Sequence, residues 1–460
     1  MTAAKDALPS HQVEKASEPA KHSIRNHSPC RLVFYVFVVL FLFGSLHEPA
    51  ILCYSSVSDH VCKTFMSVEQ RARRILAHSP LIDGHIDLPI VLRLLYRNRI
   101  NSKEWAESFE NGTMPGQVDL LRLRQGQSAG AFWSVFAPCP ENGDDFSNAN
   151  LASSVQFTLD QIDVMDRLMD SYPKHFAPRV NSHCVRCAFR SGKLISPLGI
   201  EGLHQIGNSA ANLRRYHELG VRYATLTHNC HNKYADAAVL EHPSRKAEPH
   251  WGGVSPLGRR LIHEMNRIGM IVDLAHVSED TMFDVLGGRA EWAGSEAPVI
   301  FSHSSAYSIC PHPRNVKDGI LKLVKERDSV VMVNVSPVFI SCVDTGKDNG
   351  LPEYDAANAT LDRIVEHILY IGNLIGFDHV GIGTDFDGMA NVPKGFEDVT
   401  KYPELIAALL RAGVSDRDAA KICGHNLLRV WREVDAVSAR MKAENAPIME
   451  DNLAQLTVDL

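Results

Sequence analysis

The 460-residue chain has no surplus of basic residues: 47 Lys and Arg stand against 54 Asp and Glu, a formal net charge of -7. That argues against a nucleic-acid partner, because neutralising phosphates needs a basic surface. With 45% hydrophobic and 22% charged residues, the chain also lacks the bias of a disordered, collagenous or heptad-dominated protein. Only one CxxC occurs, at Cys184 and Cys187, so a four-cysteine zinc site has no second half. A half zinc site, a redox pair and a local disulfide stay open there. No apolar tail closes the chain, which argues against a C-terminal lipid anchor. What remains is room for about three average domains or one large α/β barrel.

The apolar run LVFYVFVVLFLFGSL, from Leu32, has fifteen residues without a charge, about 22 Å as a helix. That falls short of the ~30 Å hydrocarbon core unless His47, Glu48 and the following PAILCY are taken in. A signal-anchor, a cleaved signal peptide and a buried core helix compete for this segment. A polar tail over 1–31 is long for a cleaved peptide, and Lys21, Arg25 and Arg31 precede the run as the positive-inside rule requires of an anchor. The expected organisation is a disordered cytosolic tail over 1–31, the apolar segment over 32–54, a stalk over 55–75, a catalytic barrel over 76–438 and a C-terminal tail over 439–460. The barrel then lies outside the cytosol, tethered to a membrane through its N-terminal segment or secreted. Ten Cys suit such an oxidising compartment. Sequons at Asn111 and Asn358 are usable there, whereas those at Asn26 and Asn334 read as cytosolic and buried.

Eight short apolar, β-branched runs recur: LIDGHIDL (81–88), SAGAFWSVFA (128–137), KLISPLGIEG (193–202), VRYATLTHN (221–229), GMIVDLAH (269–276), PVIFSHS (298–304), SVVMVNVS (329–336) and HVGIGTDFD (379–387). Helix-like segments separate them, among them NLASSVQFTLDQIDVMDRLMDSY, SPLGRRLIHEMNRI, SEDTMFDVLG and ATLDRIVEHILYIGNLI. Continuous apolar strands alternating with helices imply a parallel sheet covered by helices, and eight units fit a closed (β/α)8 TIM-like barrel.

Polar residues stand at the C-terminal ends of most strands: His85, Asp87, Glu201, His228, His276, His303 and Asp385. A lone strand-end histidine is usually a hydrogen-bonded structural residue, and an acid beside glycines can be a surface turn. Six sequence-distant strands sharing the habit is harder to dismiss, because in a barrel those ends converge on one mouth. His85 and Asp87 also share a strand face by period-two alternation. Serines after His276 and His303 read as caps for the next helices. Cys139, Cys230, Cys310 and Cys342 lie near strand ends, where bridges can staple loops.

His, Asp and Glu without Cys suit zinc or another borderline dication. His85 and Asp87 would hold one ion, His276 and His303 a second, with Glu201 bridging. Two such ions lower the pKa of a shared water towards neutrality, so hydrolysis is the natural reaction class. Asp385 is placed to carry a proton from the attacking water to a leaving amine. His228 can donate to a developing oxyanion. Arg314, eleven residues after His303, offers a planar fork for a substrate carboxylate, against the plain alternative of a surface ion pair.

The stretches LIDGHIDLP, GIEGLHQIG, YATLTHNCHNKYAD, IVDLAHVS, FSHSSAY followed by RNV, and VGIGTDFDG resemble, in this order, the membrane (renal-type) dipeptidases, peptidase family M19 of the amidohydrolase superfamily. The resemblance runs from about residue 70 to 435. It implies a zinc-dependent dipeptidase with two Zn2+ per chain, ligated by His85, Asp87, bridging Glu201, His276 and His303, with substrate contacts at His228, Arg314 and Asp385. It also implies disulfides between Cys139 and Cys230 and between Cys310 and Cys342, and it suggests a homodimer. A bridging glutamate rather than a modified lysine separates the chain from urease-like and dihydroorotase-like enzymes. Two departures stand out. Vertebrate members carry a C-terminal lipid anchor, where this chain ends in APIMEDNLAQLTVDL, and Pro311, His312 and Pro313 crowd the arginine. The rival expectations are another binuclear amidohydrolase, acting on an amide, lactam or ester, and a catalytically silent membrane-tethered binding protein.

Overall fold

The structure is a computed structural model that describes residues 66–453. The expected tail over 1–31, the apolar segment over 32–54 and the sequon at Asn26 lie outside the described residues. Among the described residues, no helix is long and apolar enough to cross a membrane.

Eight parallel strands form one sheet in chain order: β1 (Ile82–Ile86), β2 (Gly130–Ser134), β3 (Leu198–Glu201), β4 (Val221–Thr225), β5 (Ile271–Asp273), β6 (Ile300–Phe301), β7 (Val330–Val333) and β8 (Val380–Ile382). All eight expected runs are strands, but each is shorter than its apolar run. The reason lies at their C-terminal ends, where side chains take over the pairing from the backbone. Asp83 accepts from the backbone N–H of His85 at 3.0 Å and of Thr384 at 2.9 Å, and from the hydroxyls of Thr384 and Tyr402, both at 2.7 Å. Asp273 likewise accepts from the backbone N–H of Ala275 and Ser302. The ring closes between β8 and β1 just past β8: Asp385 N–H donates to His85 O at 3.1 Å, and Asp87 N–H to Phe386 O at 2.8 Å. The result is a nearly closed (β/α)8 barrel.

All four helix-like segments named above fold as helices, over Asn148–Ser171, Pro256–Ile268, Glu279–Val285 and Leu361–Ile375. Each starts at a Ser or Thr whose side chain accepts a first-turn N–H, the signature of an N-cap. Ser278, after His276, is one of these caps. The serines after His303 are not: Ser305 donates to Asn334 O instead, tying β6 to the end of β7.

At both ends, described residues outside the expected barrel bounds of 76–438 are packed. Within the span expected as a stalk, 55–75, residues 55–65 lie outside the described residues, and a compact unit begins at Ser67. Ser67 and Gln70 form a reciprocal capping box on a helix, Val68–His78, that buries Ala72, Ile75 and Leu76. Within the span expected as a tail, 439–460, packing contacts reach Asp451. The helix Asn426–Ala443 continues past the expected boundary, Met449 is buried, and the Asp451 carboxylate accepts from the N–H of Ala210 and Ala211 at the head of the helix Ala210–Glu218. An acid at a helix N-terminus is favoured by the helix dipole and by its unpaired N–H groups.

Disulfides join Cys139 to Cys230 and Cys310 to Cys342, while Cys184 and Cys187 are free and exposed and Cys423 is free and buried. Asn334 is fully buried; Asn111 and Asn358 are exposed.

Candidate metal centre

The strand-end residues do meet at one mouth. Ligand atoms of His85, Asp87 and Glu201 lie within 4.8 Å of one another, and so do those of Glu201, His276 and His303. Glu201 belongs to both groups and divides its oxygens between them. Its Oε2 is 3.5 Å from His85 Nε2, while its Oε1 is 2.8 Å from His276 Nε2 and 3.4 Å from His303 Nε2. All five side chains are buried.

Hydrogen-bond partners fix the ring tautomers. His276 Nδ1 faces Asn229 Oδ1 at 2.9 Å, an atom that only accepts, so Nδ1 carries the hydrogen. His303 Nδ1 is 2.8 Å from Ser302 Oγ, whose own hydrogen goes to Asp273 Oδ2, so this Nδ1 also donates. Both Nε2 lone pairs therefore point inward, and they face each other at 3.0 Å. Two opposed lone pairs at that distance repel unless a cation lies against both. Asp87 Oδ1, buried with no hydrogen-bond partner, is a further donor without a recipient. Nitrogen and oxygen donors in this proportion fit a borderline dication such as zinc.

Charge follows the same logic. Burial, helped by the charge of Arg314, holds His276 and His303 well below the usual histidine pKa, so both stay neutral. Burial also opposes a charge on His85, but Tyr223, Asp87 and Glu201 outweigh it and hold its pKa well above the usual value. Burial raises Glu201, against the pull of His85, and pushes Asp385 up to about 7.

Asp385 accepts from Asn334 Nδ2 at 3.2 Å. His276, Asp385 and Asp387 are non-glycine residues with φ near +65°, an uncommon backbone state that clusters at this mouth. Gly388 completes the turn, for a Cβ there would lie 2.3 Å from Asp87 Oδ2 and 2.8 Å from Asp385 Oδ1. His228 packs 4.4 Å from the His276 ring and is held neutral by burial. A cavity of about 480 Å³ opens above the cluster, with Asp87, Glu201, His228, His276 and Asp385 in its floor and Leu94, Phe136, Val338, Phe339 and Met389 among its walls.

Arg314 departs from the surface ion-pair alternative: it is buried beside the cluster, where its Nη2 donates to His303 O at 3.5 Å. It is 2% exposed, its guanidinium lies 4.9 Å from the Phe339 ring, and Phe339 also contacts the His312 ring. Its Nε has no partner, and burial lowers its pKa to about 10.

Several positioning residues escaped the sequence reading. Tyr223 Oη is 2.7 Å from His85 Nδ1, and Asn229, Ser302 and Asp273 orient the other two histidines. Asp83 had a legible signal, since it precedes His85 and Asp87 on the same alternation.

A family model described as membrane dipeptidase (peptidase family M19) matches residues 69–445. The chain belongs to that family. It is 46% identical over 381 residues to an uncharacterized dipeptidase of Schizosaccharomyces pombe, an alignment covering 81% of this chain and 85% of the relative. It is 44% identical over 380 residues to the dipeptidase aclJ of Aspergillus oryzae, covering 82% and 83%. Among solved structures, the probable dipeptidase PvdM of Pseudomonas aeruginosa superposes with a TM-score of 0.68 at 22% identity, covering 80% of this chain and 99% of the other. A Rhodobacter sphaeroides metallopeptidase, solved with a phosphinate mimic of L-Ala-D-Ala, gives 0.63 at 24%, covering 77% and 99%. At these identities the structures support the fold, and the dipeptidase family membership rests on the family model and the fungal relatives.

Proposed function

We propose that this protein is a binuclear zinc dipeptidase, and the division of the Glu201 oxygens between two histidine-containing groups carries the reading. His85 and Asp87 would hold one ion and His276 and His303 the other, with Glu201 shared. Bound there, two zinc ions supply an activated water at neutral pH and polarise the scissile carbonyl. The chain's own residues do the rest. Asp385 accepts the proton of the attacking water and delivers it to the leaving amine, a role suited to a carboxyl titrating near 7. Neutral His228 donates to the developing oxyanion. Arg314, whose Nε lacks a partner, takes the substrate carboxylate once Phe339 yields. A mouth of about 480 Å³ suits a dipeptide, not a folded protein.

The apolar segment over 32–54 supports an extracytosolic barrel, tethered or secreted, and the two disulfides and the exposed sequons at Asn111 and Asn358 agree with that compartment. The test is a panel of free dipeptides, N-acylated dipeptides and C-terminal amides assayed before and after chelation. Zinc-restorable hydrolysis confined to free dipeptides is expected. Full activity after complete metal removal, or equal turnover of the amides, would contradict the reading.

A further inference from the structure

A second cavity, of about 630 Å³, lies at the opposite end of the barrel. Its walls are the end of the helix Val68–His78, Pro80 just before β1, the helix Val185–Arg190 before β3, and the start of the helix Asn426–Ala443. The first two helices lead into the N-terminal ends of β1 and β3, and Gly424, just before the last helix, faces Pro80 O and Ile82 N at the start of β1.

The lining is lopsided in charge. Arg186, Arg190 and Arg432 converge on it with His425, and no carboxylate lines it. None of the three arginines has a hydrogen bond or ion pair to another described residue, although most arginines among the described residues are paired. Arg186 and Arg190 stand four apart on one helix, where like charges are neighbours and repel. Arg186 and Arg432 both act on His425, whose pKa is lowered first by burial and then by these two charges. Beneath the cations, Val185 and Leu428 are buried and give the cavity an apolar floor. Three unpaired guanidinium forks over an apolar floor are what a compact dianion on an apolar body requires.

We propose that this cavity is a second ligand site, which takes a phosphate monoester carried on an apolar body. Three fixed positive charges match a phosphate dianion better than a carboxylate, and the floor accommodates the organic part. The head group can belong to a soluble metabolite or to a phospholipid, and the chemistry is shared.

The test is calorimetric titration of the full-length protein, as isolated, with phenyl phosphate and with inorganic phosphate, alongside the double variant R186Q/R432Q. Phenyl phosphate should bind about tenfold more tightly than inorganic phosphate, and the double variant should lose at least about tenfold of that affinity. Both substituted residues are exposed and remote from the metal centre, so dipeptide turnover should be unchanged and phosphate bound at the metals would persist in the variant. Co-sedimentation with phosphatidylcholine vesicles, with and without phosphatidic acid, then separates the sources. A phosphatidic-acid-dependent difference between wild type and variant assigns a lipid head group, and its absence beside phenyl phosphate binding assigns a soluble ligand. Equal phenyl phosphate affinity in wild type and variant, or none in either, overturns the proposal.

Discussion

Replacing Gly388 by Ala adds one methyl group at the point where two carboxylates come closest to the backbone. An added Cβ would lie 2.3 Å from Asp87 Oδ2 and 2.8 Å from Asp385 Oδ1, where real Cβ contacts essentially never fall below 3.0 Å. Asp87 therefore has to retreat by at least about 0.7 Å, a displacement of the size that costs roughly 100-fold when reacting groups are misplaced. The carboxylate that must move is the one whose Oδ2 lies 3.1 Å from His85 Nε2, so a retreat also breaks that pairing. The variant should thus lose about 100-fold in kcat/KM, or about 2.7 kcal/mol of transition-state stabilisation. Gly388 has an ordinary negative φ and is exposed, so the thermal midpoint should move little. Steady-state hydrolysis of a free dipeptide beside a melting curve measures both. A kcat/KM within threefold of wild type would refute the claim that Asp87 and Asp385 must hold these positions.

Other outcomes follow from the same geometry. Arg314→Ala should raise KM for free dipeptides by about 10- to 100-fold with a smaller effect on kcat, since a charge-assisted bond to substrate is worth about 1.5–3 kcal/mol; an unchanged KM would remove the carboxylate clamp. Zinc affinity of the metal-free protein, measured with a competing chelator between about pH 5.5 and 8.5, should rise with pH. The sign comes from His85: its raised pKa keeps it protonated around neutrality, so protons compete with metal below that pKa and cease to compete above it. Burial holds His276 and His303 below the ordinary histidine pKa, so their contribution to the slope is smaller than that of His85. A pH-independent affinity would contradict this account of the site.

The residues of the candidate metal centre were legible because a polar side chain ending an apolar strand has few places to go. His85, Glu201, His276 and His303 each break an apolar run at the same end of a strand, and the parallel barrel turns that shared position into proximity. The residues that aim them were not. Tyr223 sits inside a strand and reads as core, and only the fold reveals its hydroxyl 2.7 Å from His85. Asn229 and Asp273 likewise act across strands that sequence does not pair. The packed segments outside the expected barrel bounds escaped the sequence for two different reasons. Ser67-Val-Glu-Gln70 is a local capping box that could have been read as a helix start. By contrast, Asp451 caps a helix about 240 residues upstream, a contact no local pattern contains. The burial of Arg314 beneath Phe339 is also non-local, since the two reach each other from different strand ends.

The central claim is that two ions share Glu201. Anomalous diffraction at the zinc edge from crystals of the isolated protein tests it directly. The account predicts two peaks per chain about 3.5 to 4 Å apart, one beside His85 and Asp87, the other beside His276 and His303, each in contact with a different Glu201 oxygen. A single peak, or two peaks with Glu201 bound to only one, would contradict it.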